Sequence, residues 1–202
     1  MLEDIFYFFD KNYGRTKNLL KLYNDNFGII SGRKTTEQLD LLRATVVLLH
    51  STLEDFLRNL LLLKLPFAQK DKLNKIPLLG TSEDGRRTKF ELGELLEHKD
   101  LSIQELINKS IADYLNKVSF NDTNDIVKNL SDIDIEITDE IKRYFPMLNE
   151  MIKRRHSIVH QADREITSGS GNHKIKSISY KKVLLWQTNL DKFIKELVKQ
   201  LN

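Results

Sequence analysis

The sequence predicts an all-α protein: an up-and-down bundle of five or six helices, in a single domain over residues 1–202. Three observations predict it. Apolar residues recur at three- and four-residue steps along most of the chain. Two such segments open with capping boxes, Thr35-x-x-Gln38 and Ser102-x-x-Glu105. The stretch Ile133-Asp134-Ile135-Glu136-Ile137 alternates like a strand but has no partner strand, so it reads as an extended link.

Leu2, Ile5, Phe6, Phe9, Tyr13, Leu20, Tyr23 and Phe27 share one helical face, which predicts a first helix over 2–26. Gly14 weakens it by up to ~1 kcal/mol relative to alanine. Gly28 and Ser31-Gly32 mark the turn. The second helix, over 36–63, carries Leu39, Leu42, Val46, Leu49, Leu53, Phe56, Leu60 and Leu63 in register. Its second half adds Leu57, Leu61 and Leu62, so it is apolar nearly all round. Such a helix is central in a bundle or covered by a second subunit. Pro66 ends it. Residues 66–100 are less regular, and Pro77, Gly80 and Thr81 to Thr88 read as an exposed loop with Arg86 and Arg87.

Leu101 and Leu106 flank the second capping box as a hydrophobic staple, which sets a helix over 103–117. A shorter helix lies within Phe120 to Leu130, capped near Thr123. Thr138 then caps a long helix whose inward face is Ile141, Tyr144, Leu148, Met151, Ile152, Ile158, Val159 and Ala162. Pro146 kinks that helix or marks its true start. Thr167 to His173 contains Ser168-Gly169-Ser170-Gly171, a flexible loop. The last helix spans 178–201, with Val183, Trp186, Leu190, Phe193, Leu197 and Leu201 inward.

Composition narrows the class. Apolar content of 40% and charged content of 30% describe an ordinary soluble chain. Cysteine is absent, which removes disulfides and thiolate-bound zinc and fits a reducing, cytoplasmic setting. Met1-Leu2-Glu3-Asp4 lacks the basic start of a signal peptide, and apolar runs such as Leu60 to Leu63 are too short for a membrane span. Net charge is +3, but residues 142–199 hold 13 Lys or Arg against 5 Asp or Glu, so the remainder is net acidic. The basic part suits an acidic partner such as RNA, with Lys153, Arg154 and Lys174 as candidate contacts; a lysine-rich solvated face is the plainer account.

The chemistry concentrates in Arg154-Arg155-His156-Ser157-Ile158-Val159-His160-Gln161-Ala162-Asp163. At roughly 100° per residue, Arg155 falls in the middle of the inward face. Burying its guanidinium unpaired would cost several kcal/mol, on the order of the penalty for any desolvated ion. It therefore needs a charged partner, such as Glu54, or it lines a cavity that admits an anion. His160 stands at the edge of the apolar stripe, with His156 one turn earlier and Asp163 placed to orient it. A fixed cation, an imidazole and a carboxylate suit a phosphodiester. Plainer accounts stand beside this: Arg155 in a buried ion pair, His160 as a structural histidine, and Asp163 serving the helix end or Arg164. His50 and Glu54 form either a pair at a helix seam or, through Glu54, a support for the Arg155 fork. His156 and His160 have zinc-helix spacing, but Ser157 follows the first and no third ligand is evident. No Gly-rich nucleotide loop and no nucleophile elbow occurs, so no cofactor is expected.

Arg155-His156-Ser157-Ile158-Val159-His160 resembles the R-x4-6-H motif of the HEPN superfamily, in which a polar residue often follows the arginine. Arg154 also meets the spacing; Arg155 is preferred because His156 then takes the polar position and Arg155 lies inward. The stretch from Leu42 to Leu57 looks like the family's long second helix. Phe120-Asn121-Asp122-Thr123-Asn124-Asp125-Ile126 resembles a segment of the RiboL-PSP-HEPN branch, as does the Arg-His-x-Ile-Val-His-x-Ala-Asp run. The resemblance covers roughly residues 35–200. It implies an α-helical bundle, usually a homodimer, and often a metal-independent endoribonuclease of toxin–antitoxin or antiviral defence systems, with an antitoxin or defence partner. Some members only bind RNA or another protein. The roles it implies are His160 as acid or base, Arg155 on the phosphoryl oxygens, and His156 assisting.

Overall fold

The structure, a computed structural model, describes residues 2–28, 32, 34–79, 92–165 and 174–201. The Arg86-Arg87 loop and the Ser168-Gly169-Ser170-Gly171 loop expected from the sequence lie outside the described residues. Eight α-helices occur among the described residues: α1 (Leu2–Tyr23), α2 (Thr36–Lys64), α3 (Lys70–Leu73), α4 (Ile103–Lys117), α5 (Thr123–Ser131), α6 (Asp139–Lys142), α7 (Phe145–Gln161) and α8 (Tyr180–Val198). Two of them, α3 and α6, are single turns. The remaining six form the expected all-α bundle.

Helix α2 is its axis. It packs against α1, α4, α7 and α8. Leu42, Val46, Leu49, Leu53, Phe56 and Leu60 are buried along one side, and Leu57 and Leu61 are buried on another. Each such side chain contributes about 1.5–3 kcal/mol by leaving water. The near-continuous apolar surface of α2 is thus consumed inside one chain, and of its leucines Leu62 alone is open. The sequence allowed a central helix or one covered by a second subunit, and in this fold α2 is central. Both capping boxes form: Gln38 and Thr35 bond reciprocally, as do Glu105 and Ser102. Pro66 follows the last turn of α2 within a short 3-10 segment, Leu65–Phe67.

Local corrections follow from local chemistry. Helix α1 stops at Tyr23 and passes into a π turn, Asn24–Gly28. The cap of α5 is Asp122, one residue before Thr123, because its carboxylate reaches the N–H groups of Asn124 and Asp125. Thr123 is instead buried against α7, where its N–H and hydroxyl both meet the Asn149 amide. The long helix expected from Thr138 is two helices. Thr138 caps only the single turn α6, and α7 begins at Phe145 with Pro146 in its first turn. Proline lacks an N–H and its ring clashes with the carbonyl four residues back, so the two cannot fuse. Thr16, Tyr13 and Gln187 bond across α1 and α8, which closes the far side of the bundle.

Candidate functional site

Helix α7 runs antiparallel to α2, since Arg43 of α2 meets Asp163 beyond the end of α7 while His50 lies near Arg155. Its first half is ordinary core: Leu148, Met151 and Ile152 are buried. Its second half departs from the expected face. Val159 is 48% exposed although its angular position points to the core. Arg155, at the centre of that face, is half-buried. Near its end α7 is thus partly open to solvent at Arg155 and Val159, while Ile158 still packs against the core.

Arg155 has no ion pair and no hydrogen bond among the described residues, and its Nε is buried without a partner. Beneath it stands His50, fully enclosed. The His50 Nε2–H donates to the Phe120 carbonyl at 3.2 Å. Its Nδ1 then presents a lone pair to Glu54 Oε2 at 3.6 Å, and two acceptors do not bond. Burial holds the His50 pKa below its ordinary value; the nearby Arg155 charge also lowers it, against Glu54 and the Phe120 carbonyl, which raise it. Glu54 therefore faces His50, and no Glu54–Arg155 ion pair forms among the described residues.

His156 and His160 are both exposed, one turn apart, with ring centroids 4.6 Å from each other and planes tilted by 44°. Lys153 and Lys174 are exposed as well. Lys153, His156 and His160 share one flank of α7, by their three- and four-residue spacing.

Asp163 makes no direct hydrogen bond to His160 among the described residues. The chain leaves α7 through two left-handed residues, Ala162 (φ 48°) and Asp163 (φ 56°), which turns the Asp163 side chain back into the protein. It is fully buried, and its Oδ2 accepts from Arg43 Nε and from Arg154, both at 2.8 Å. Arg154 also donates to the carbonyls of Lys176 (3.0 Å) and Ser177 (2.8 Å). Arg154, expected as an RNA contact, has its guanidinium bonded to Asp163 and to the returning chain. Beside it lies a cleft of about 400 Å³ lined by Glu150, Ser177, Ser179, Lys182 and Trp186. Its second cation, Lys182, is paired with Glu150 at 2.6 Å. The tandem Arg154-Arg155 thereby divides, Arg154 into the scaffold and Arg155 into the open site.

Three participants were not singled out from the sequence. Arg43 is a cation within the apolar run of α2, and the same physical reason that flags Arg155 would have flagged it. Ser157 is buried on α7, and its hydroxyl accepts from Lys176 Nζ at 2.7 Å. Lys176 lies beyond the loop and carries no local signal. No group of three or more His, Asp or Glu able to hold a metal occurs among the described residues. No helix of the described residues is long and apolar enough to cross a membrane.

Comparison with known proteins bears on what this arrangement serves. The family model described as RiboL-PSP-HEPN matches residues 10–202. No curated protein and no solved structure matches the chain.

Proposed function

The chain belongs to the RiboL-PSP-HEPN family, whose HEPN domain points to an RNase-like or RNA-binding function, and from that premise we propose that it is a metal-independent endoribonuclease. The observation that carries the proposal is Arg155: a half-buried guanidinium without an ion pair among the described residues, on the same helix end as two exposed imidazoles. A cation kept free of carboxylates beside a proton-transfer group suits a phosphodiester.

The reaction needs no external nucleophile. A base takes the proton of the 2′-OH, the 2′-oxygen bonds to phosphorus, and the bond from phosphorus to the 5′-oxygen breaks. An acid gives that leaving oxygen its proton, and a 2′,3′-cyclic phosphate remains. His160 serves as acid or base. Arg155 holds the phosphoryl oxygens, whose charge grows in the transition state. His156 positions RNA or assists the proton transfer, and Lys153 and Lys174 attract the backbone.

Acid and base together call for two well-placed groups. A two-fold homodimer that faces two α7 ends would supply a second cluster. The exposed Val159 beside Arg155 supports pairing there rather than through α2. A role as a toxin or antiviral effector, in the cytoplasm and with an antitoxin or defence partner, accompanies the proposal.

The test is incubation of the purified protein with RNA in excess EDTA. Cleavage that persists and leaves 2′,3′-cyclic ends is expected, and DNA, which lacks the 2′-OH, stays intact. A strict magnesium requirement or 3′-hydroxyl products would overturn the mechanism. RNA binding without cleavage, with His160→Ala matching wild type, would identify a non-catalytic binding module instead. Growth arrest on expression that disappears in His160→Ala would support the effector role; equal growth would count against it.

A further inference from the structure

The segment that carries His160 is tied at both ends to one residue of the returning chain. At its start, Lys176 Nζ donates to the Ser157 hydroxyl at 2.7 Å. At its end, the Lys176 N–H donates to the Asp163 carbonyl at 2.8 Å, and the Asp163 N–H donates to the Ser157 carbonyl at 2.9 Å. The Lys176 carbonyl in turn accepts from Arg43 at 2.9 Å and from Arg154 at 3.0 Å. Both guanidiniums converge on Asp163, which is fully buried. His160 makes no side-chain hydrogen bond among the described residues, so its place is set by the backbone of this turn and the His156 ring. That backbone ends in two consecutive non-glycine residues in left-handed geometry. Such a turn does not hold itself together, because L side chains disfavour that region.

We infer that the Arg43–Asp163–Arg154 cluster, closed by Lys176, is a positioning device for His160. It fixes where the imidazole stands relative to Arg155 without touching RNA. The inference rests on the reading of His160 as the proton-transfer group. Asp163, Arg43, Arg154 and Lys176 are positioning residues in it. The three cations they bring are spent on one carboxylate and on backbone and hydroxyl oxygens, which also separates them from the open Arg155.

The test compares wild type with Asp163→Asn in two readouts: the His160 imidazole signals and 157–163 amide exchange by NMR, and RNA cleavage under single turnover. Binding is followed with a nuclease-resistant 2′-O-methyl RNA. The expected result is faster exchange confined to 157–163, displaced His160 signals, and cleavage about 10–100-fold slower at RNA affinity within about twofold of wild type. A folded Asp163→Asn with unchanged His160 signals overturns the inference, and so does a displaced imidazole with an unchanged rate. If Asp163→Asn does not fold, Arg43→Gln, which leaves Arg154 on the carboxylate, is read against the same outcomes. If wild type itself does not cleave RNA, the nuclease reading falls, while unchanged or displaced His160 signals still decide whether the cluster positions the imidazole.

Discussion

Arg154 and Asp163, nine residues apart, meet at 2.8 Å beneath the helix end that carries the exposed histidines. Arg155, the very next residue after Arg154, meets no carboxylate among the described residues. Adjacent arginines thus carry opposite consequences. Arg154→Met is expected to destabilise by about 1–3 kcal/mol, since it strips one partner from a buried carboxylate that keeps Arg43. Arg155→Met is expected to stay within about 1 kcal/mol of wild type while losing cleavage, because it removes a partly desolvated charge that has no ion pair among the described residues. Urea unfolding of both variants beside an RNA assay checks this. Equal destabilisation by the two would contradict the division of roles.

His160→Ala is expected to slow cleavage by about 10²–10⁴-fold, the range for removing a general acid or base, with RNA binding retained. His156→Ala should lose less. Single-turnover rates and filter binding on the same RNA separate chemistry from affinity. Loss of binding and rate in proportion would point to His160 as a contact only.

His50 gives the fold a predictable response to acid. Its pKa is held below the ordinary 6.5, first by burial. Between the folded and unfolded values the unfolded chain binds the extra proton, so stability rises with pH there. The contribution is fully present above about pH 6.5 and is lost as pH falls below it. Protonation would also set a second positive charge beside Arg155, with Glu54 the facing carboxylate. Thermal melts between pH 7.5 and 5 should show a fall that is shallower in His50→Gln. A parallel fall in both proteins would assign the acid response to other groups.

Ala162 takes φ 48° directly after α7, where helices often place glycine. Ala162→Gly is expected to stabilise by roughly 0.5–1 kcal/mol, as relief of the left-handed strain outweighs the added freedom of the unfolded chain. Chemical denaturation measures it. A loss of stability would mean that the Ala162 methyl contributes packing the exposed position does not suggest.

Much of the bundle was legible because the signals are local. The capping boxes at Thr35 and Ser102 need only residues three apart, and both form as read. The inward registers of α2 and α8 need only a period, and Leu42 to Leu60 and Val183 to Leu197 are buried accordingly. Pro146 left two outcomes open, and the missing N–H decided for a new start at α7. Val159 is exposed despite its inward register because a period says which way a side chain points and not whether a neighbouring helix is there to cover it.

By itself, then, the sequence determined an all-α bundle with one helix apolar nearly all round, and an arginine set among histidines where packing wants hydrocarbon. Those follow from periodicity, capping and the cost of desolvating charge, all of which act within a few residues. Only the tertiary structure decided which of the two arginines is drawn into an ion pair among the described residues. The choice depends on Arg43, 120 residues before Asp163, and on Lys176 beyond the loop. A buried carboxylate takes whichever cations the fold brings within bonding distance, and no local pattern encodes that meeting.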